Sequence, residues 1–237
     1  MSSGCLIGVG VGPGDPEHLT LKALRALREA DRVFVPATQR GGRAEAIVAA
    51  HVAPERREPL SFAMTDAESR ADYWDKAGAA IAAVVRTGGT AAFATLGDPS
   101  LYSTFAYVVH TVRDLVPDVA VEVVPGITAM QDLAARSGTI LAEGEDRLAL
   151  VPYTAGDAAL REALAAFDTV VVYKGGRHLP AVLEAVRDAG ALDRAVYGEA
   201  LGLDREEIVA AADRERPGPY LSTVIVPPAR GGRGSRL

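Results

Sequence analysis

The residues of this chain best placed to do chemistry lie in one stretch, Thr95-Leu96-Gly97-Asp98-Pro99-Ser100-Leu101-Tyr102-Ser103-Thr104-Phe105. It follows an apolar run, Thr90 to Ala94, and precedes Ala106-Tyr107-Val108-Val109, which reads as the body of a helix. A break of small residues between a buried strand and a helix start is where open α/β sheets offer backbone groups to a ligand. Gly97 lets the main chain approach that ligand, since no Cβ intervenes. Pro99 suits a first helical turn, and Ser103 and Thr104 bring hydroxyls. Three further loops share this character: Gly12-Pro13-Gly14, Pro125-Gly126-Ile127-Thr128 and Tyr173-Lys174-Gly175. Gathered together, they make a site of backbone amides, carbonyls and small side chains. Such a site suits a ligand with a zwitterionic end and a flat heterocycle.

Other chemistries lack their residues. His18, His51, His110 and His178 are scattered, without the spacing of metal ligands. No Gly-x-Ser-x-Gly elbow and no Gly-Lys-Ser/Thr phosphate loop occurs. A dinucleotide frame fails as well. From Gly10 the sixth position is Asp15, from Gly8 it is Pro13, and no acidic residue closes the second strand, where Val35 is followed by Pro36 and Ala37. A site without nucleophile or metal fits chemistry carried by a cofactor, with the protein supplying position and electrostatics.

The elements that must hold these loops read as alternating strands and helices. Cys5 to Val11 is an apolar strand, and Leu19, Leu21, Leu24 and Leu27 mark an amphipathic helix capped by Asp15 or Thr20. Arg32 to Val35 is the next strand, ended by Pro36, and this order makes a parallel βαβ unit. Glu55 to Phe62 reads as irregular, with Arg56-Arg57 as surface charge. Asp72 to Arg86 reads as a long helix in which Trp74 packs at the core or its rim. Strands at 119–124, 148–151, 169–173 and 195–199 follow, with helices at 105–115, 157–167 and 180–189 between them. Glu207 to Ala210 and Tyr220 to Val226 read as antiparallel additions. The expectation is two α/β domains, residues 1–125 with a mainly parallel sheet and 126–227 with a mixed one. Facing each other, the sheets would bring the four loops to a cleft between them. Residues 228–237, rich in Pro, Gly and Arg, read as a disordered tail.

Composition narrows the classes of partner. The net charge of −6 gives no broad basic field for nucleic acid. The one cysteine, Cys5, excludes an intrachain disulfide and reads as a packing residue. No apolar run spans a bilayer, so a cytoplasmic protein without membrane partners is the simplest expectation.

At these residues the chain resembles the tetrapyrrole methylases that use S-adenosylmethionine. Val9-Gly10-Val11-Gly12-Pro13-Gly14-Asp15-Pro16, with Leu19-Thr20-Leu21-Lys22-Ala23, is similar to that family's N-terminal signature. Leu96-Gly97-Asp98-Pro99 is similar to its second motif, and Val124-Pro125-Gly126-Ile127-Thr128 to its third. Within the family, Thr95 to Phe105, Phe62-Ala63-Met64-Thr65 and Pro219-Tyr220-Leu221-Ser222 resemble the precorrin-2 C20-methyltransferases of vitamin B12 biosynthesis. The resemblance implies a two-domain α/β fold, a homodimer, and S-adenosylmethionine in the interdomain cleft. By position it implies that Pro13, Leu96, Gly97, Asp98, Leu101, Thr104, Thr128, Ala129, Tyr153 and Lys174 line the cofactor. Lys174 departs from relatives with an apolar residue there; its ammonium can face the cofactor carboxylate, a substrate acid or solvent.

The implied reaction is attack of an electron-rich meso carbon on the sulfonium methyl, followed by loss of a proton from the ring. Tyr102, Tyr153 and Asp98 are the candidate bases, none of them singled out. Arg40 and Arg43 are the candidate partners of the substrate's carboxylates. Other readings stay open: the cobalt-bearing substrate, another tetrapyrrole position, uroporphyrinogen III, the protein substrate of diphthine synthase, or a binding module without catalysis.

Overall fold

The computed structural model describes residues 4–37, 42–61, 67–214 and 216–230, with residues 67–71 as backbone only. The chain divides into two compact units, Met1–Thr128 and Ala129–Leu237.

The first unit is built on β1 (Cys5–Gly10), β2 (Arg32–Ala37), β3 (Arg57–Ser61), β4 (Thr90–Thr95) and β5 (Ala120–Val124). They form one sheet in the order β3-β2-β4-β1-β5, with every neighbouring pair parallel. Side chains alternate along each strand, so the sheet has two apolar faces. Val9, Val33, Val35, Ala92 and Ala94 pack under α1 (Leu21–Glu29) and α2 (Arg43–Ala49). Leu6, Phe34, Ala91 and Phe93 pack under α3 (Ala67–Val85) and α4 (Phe105–Leu115). Both expected caps exist, on separate elements: Asp15 accepts from Glu17 N–H, and Thr20 caps α1 through Ala23 N–H. Trp74 meets Tyr107 edge to face, with ring centroids 4.3 Å apart, which joins the rims of α3 and α4. Cys5 is half-buried, and burial, reinforced by Glu122, pushes its thiol up.

Two sequence expectations need correction here. Residues 57–61 are not irregular: they form the edge strand β3, paired with β2 from Val33–Arg57 to Ala37–Ser61. Only Leu60 of this strand is buried, and Pro59 is tolerated because an edge strand leaves one row of amides unpaired. Pro36 does not end β2, which continues to Ala37; the ladder between β2 and β4 stops at Phe34, so Pro36 lies beyond it.

The second unit carries β6 (Leu148–Pro152), β7 (Thr169–Tyr173), β8 (Val196–Glu199), β9 (Glu207–Ala210) and β10 (Ser222–Val226). The order is β6-β7-β10-β8-β9, with β6 and β7 parallel and the other pairs antiparallel, a mixed sheet. Val151, Val170, Val172, Val224 and Val226 face α6 (Asp157–Ala166) and α7 (Leu179–Asp188). Val171 and Ile225 face Leu133 and Ala134 of α5 (Ala129–Ser137). The first residues of the expected tail are held in place. Pro228 is buried, and Arg230 pairs with Glu143 at 2.8 Å and Asp146 at 2.9 Å. An Arg-rich composition concealed these ion pairs; residues 231–237 lie outside the described ones.

Candidate active site

In the first unit, the loops after β1, β4 and β5 meet at one edge of the sheet. Val11 N–H donates to Thr95 O at 3.0 Å, and Gly97 N–H donates to Gly12 O at 2.8 Å, so the loops after β1 and β4 are bridged. Asp98 then ties the third loop to them. Its Oδ2 accepts Gly126 N–H at 2.9 Å and its Oδ1 accepts Ser100 N–H at 2.7 Å. Gly126 is required by this packing, because a Cβ there would run into the Gly97 carbonyl oxygen and the Gly10 backbone. Gly97 differs: its φ is +72°, and a Cβ would meet only Thr128 Cα, at 3.9 Å. The main chain at Gly97 is thus bare toward open space, a cradle that fits a ligand approaching the backbone.

Ser103 and Thr104 separate in role. The Ser103 hydroxyl bonds Thr95 Oγ1 at 2.8 Å and accepts Phe105 N–H at 3.1 Å, fixing the start of α4. Thr104 makes no capping bond through its side chain. Between them and Pro99, Tyr102 holds a φ of +50°, uncommon for a side-chain-bearing residue and found where surrounding structure enforces it. Burial pushes its phenol up, so it keeps its proton at neutral pH. Pro13 is buried in the loop after β1, and Leu96, Leu101 and Thr128 are half-buried.

In the second unit, the expected residues also gather at one sheet edge. Tyr153 follows β6 and Lys174 follows the adjacent, parallel β7. The Tyr173 hydroxyl oxygen accepts Met130 N–H at 3.1 Å, which brings the start of α5, and so Ala129, to the same edge. Tyr153 lies against His178, with ring centroids 5.5 Å apart, and burial, with Asp157, pushes its phenol up. Lys174 sits at φ +60°, another strained L-residue at a loop of interest. Of the expected substrate-binding pair, Arg43 opens α2 beyond the end of β2, and Arg40 lies outside the described residues, as does Phe62-Ala63-Met64-Thr65.

This environment bears on the candidate bases. Both carboxylate oxygens of Asp98 are engaged by backbone amides, so its role is to hold loops together. The two phenols are protonated. What the edge offers is position: amides, carbonyls, hydroxyls and a bare glycine.

The decisive observation is in the sequence family. The family described as Tetrapyrrole (Corrin/Porphyrin) Methylases matches residues 5–214. The chain belongs to the tetrapyrrole methylases. Among relatives of this methylase, the precorrin-2 C(20)-methyltransferase of a Sinorhizobium species is 36% identical over 236 residues, covering 94% of this chain and 95% of its own. The cobalt-precorrin-2 C(20)-methyltransferase of Salmonella typhimurium is 30% identical, covering 94% and 96%. The uroporphyrin-III C-methyltransferase of Thermus thermophilus, solved with S-adenosyl homocysteine, superposes with a TM-score of 0.67 at 25% identity, covering 94% of this methylase and 97% of its own chain. The methylase's two sheets, one all-parallel and one mixed, agree with the fold that its motifs imply.

Sequence reasoning missed several residues that organise the second unit. Arg214 is buried and pairs with Glu199 at 2.9 Å and with Glu207, while its guanidinium stands 4.9 Å from the Tyr197 ring centroid. Tyr197 O–H donates to Glu199. The only sequence signal was Gly218, whose Cβ would run into that phenol oxygen. Among the described residues, no helix is long and apolar enough to cross a membrane.

Proposed function

We propose that this methylase transfers the methyl group of S-adenosylmethionine to C20 of precorrin-2, forming precorrin-3A in cobalamin biosynthesis. The observation that carries this reading is the end-to-end likeness to the Sinorhizobium relative, which spans both units. The gathered backbone site of the first unit supports it. When bound, S-adenosylmethionine supplies a methyl already activated by its sulfonium, so the protein needs no nucleophile of its own.

The residues proposed to hold the cofactor are Pro13, Leu96, Gly97, Asp98, Leu101, Thr104 and Thr128 in the first unit, with Ala129 and Tyr153 in the second. Gly97 presents its bare main chain, and Asp98 fixes the spacing of the loops without touching the proton inventory. Tyr102 and Tyr153 keep their protons and act as hydrogen-bond donors. Alignment of the two reactants supplies much of the rate in such a site. Arg40 and Arg43 are proposed partners of substrate carboxylates. We expect Arg40→Ala to raise the substrate KM more than the cofactor Kd; an unchanged KM removes Arg40 from the site.

A second reading, the cobalt-bearing substrate, is favoured by the Salmonella relative's name. One experiment separates them. The protein is incubated without oxygen with methyl-labelled S-adenosylmethionine and either precorrin-2 or its cobalt complex, and the labelled carbon is located by NMR. Label at C20 from the metal-free substrate supports the proposal. Label from the cobalt complex alone selects the second reading, and label at another carbon rejects C20.

A further inference from the structure

Within the second unit, the loop after β7 and the segment before β10 are pressed together. Gly218 N–H donates to Gly176 O at 2.8 Å, and a Cβ on Gly176 would run into the Pro219 carbonyl oxygen and the Ser222 hydroxyl. This approach sets Tyr220 beside two cations. Lys174 Nζ and the Arg177 guanidinium carbon each lie 5.8 Å from the Tyr220 ring centroid, within reach of cation–π attraction. Lys174 is half-buried and Arg177 exposed.

The group is held from behind. Arg214, buried and ion-paired, anchors the chain ahead of the segment, and Gly218 rests on the Tyr197 hydroxyl. Lys174 itself is kept at a positive φ of +60°. Each cation beside this ring offers a carboxylate a charge-assisted contact.

We infer that Lys174 and Arg177, set on Tyr220, receive the peripheral carboxylates of the tetrapyrrole substrate. This rests on the tetrapyrrole reading above, and it moves Lys174 from the cofactor to the substrate. A macrocycle carrying several acids matches two cations and an apolar ring better than the single carboxylate of the cofactor does.

The test uses uroporphyrin, a stable porphyrin with acid side chains on every pyrrole, and follows its fluorescence on titration with the protein. Arg177→Gln and Lys174→Gln are each expected to weaken binding about tenfold, the scale of one charge-assisted contact. Arg177→Lys should retain most of the affinity, and added salt should narrow the difference. Calorimetry with S-adenosylhomocysteine should give the Arg177→Gln protein the wild-type affinity, which also shows that it is folded. Equal porphyrin affinity in wild type and Arg177→Gln, no binding by wild type, or a matching loss of S-adenosylhomocysteine affinity overturns the inference. Methylation assays keep the two proposals apart. A wild-type protein that leaves precorrin-2 unmethylated, yet loses porphyrin in these variants, sinks the C20 reading alone. Methylation with an unchanged substrate KM in Arg177→Gln sinks the carboxylate site alone.

Discussion

Gly126 N–H donates to Oδ2 of Asp98 at 2.9 Å, so the loop after β5 hangs from the loop after β4. The same carboxylate accepts Ser100 N–H through its other oxygen. A residue that a motif-based reading would enlist as a base is instead a cross-brace. Removing the brace should affect ligand binding because the loops lose their mutual spacing.

We therefore expect Asp98→Ala to leave two amides without their acceptor and to cost about 1–3 kcal/mol of stability. Asp98→Asn, which keeps one carbonyl oxygen, should cost less. Urea unfolding and calorimetry with S-adenosylhomocysteine read both effects; an Asp98→Ala protein that matches wild type in each would refute the cross-brace.

Two glycines make a controlled pair. Gly126→Ala forces a methyl into the Gly97 carbonyl and should cost several-fold in S-adenosylhomocysteine affinity as well as stability. Gly138, at φ +68° with nothing within 4 Å, should pay only the left-handed penalty of about 1–2 kcal/mol on Gly138→Ala and keep full affinity. Equal binding losses in the two variants would show that strain, not the contact, matters.

Acid should weaken the second unit through Glu207. Its hydrogen bond from Arg214 holds the carboxyl below its ordinary value of 4.5. A depressed folded-state value contributes stability above 4.5 that is lost as pH falls from there through the folded-state value. Urea midpoints measured from neutral pH down through this window should therefore drop more steeply in wild type than in Glu207→Gln. Parallel profiles would remove Glu207 as a source of the acid sensitivity.

Ligand specificity has a direct thermal reading. S-adenosylhomocysteine at a hundred times its Kd should add about 2.7 kcal/mol to the folded state and raise Tm accordingly. NADH at the same concentration should leave Tm unchanged, because the turn after β1 places Asp15 where a dinucleotide fingerprint needs glycine. A shift with NADH and none with S-adenosylhomocysteine would reverse the cofactor assignment.

Strand ends and loops at the candidate site were legible because they are written in local chemistry. Gly12-Pro13-Gly14, Leu96-Gly97-Asp98 and Pro125-Gly126 each join an apolar run to a helix start, and each sits where that pattern implies. β3 was not legible, because its residues, with Pro59 and a single buried side chain at Leu60, carry no apolar alternation. Arg214 was missed for a different reason. Its partners Glu199 and Glu207 come from two separate strands, and nothing in the spacing of Arg214 from Glu199 announces a buried ion pair. Lys174 was noticed for its position, whereas the ring beneath it belongs to a segment more than forty residues later in the chain.

The order of strands also has a consequence for synthesis. All five strands of the first sheet lie before residue 125, so that unit has its complete sheet once its own stretch has left the ribosome. The second sheet is centred on β10, which sits between β7 and β8 although it is translated last. Until Val226 emerges, the nascent chain holds β6–β7 and β8–β9 as separate pairs with open edges. A message broken off before Ser222 would thus yield a finished first half joined to a sheet without its middle, a form prone to sticking to other copies and to removal by quality control.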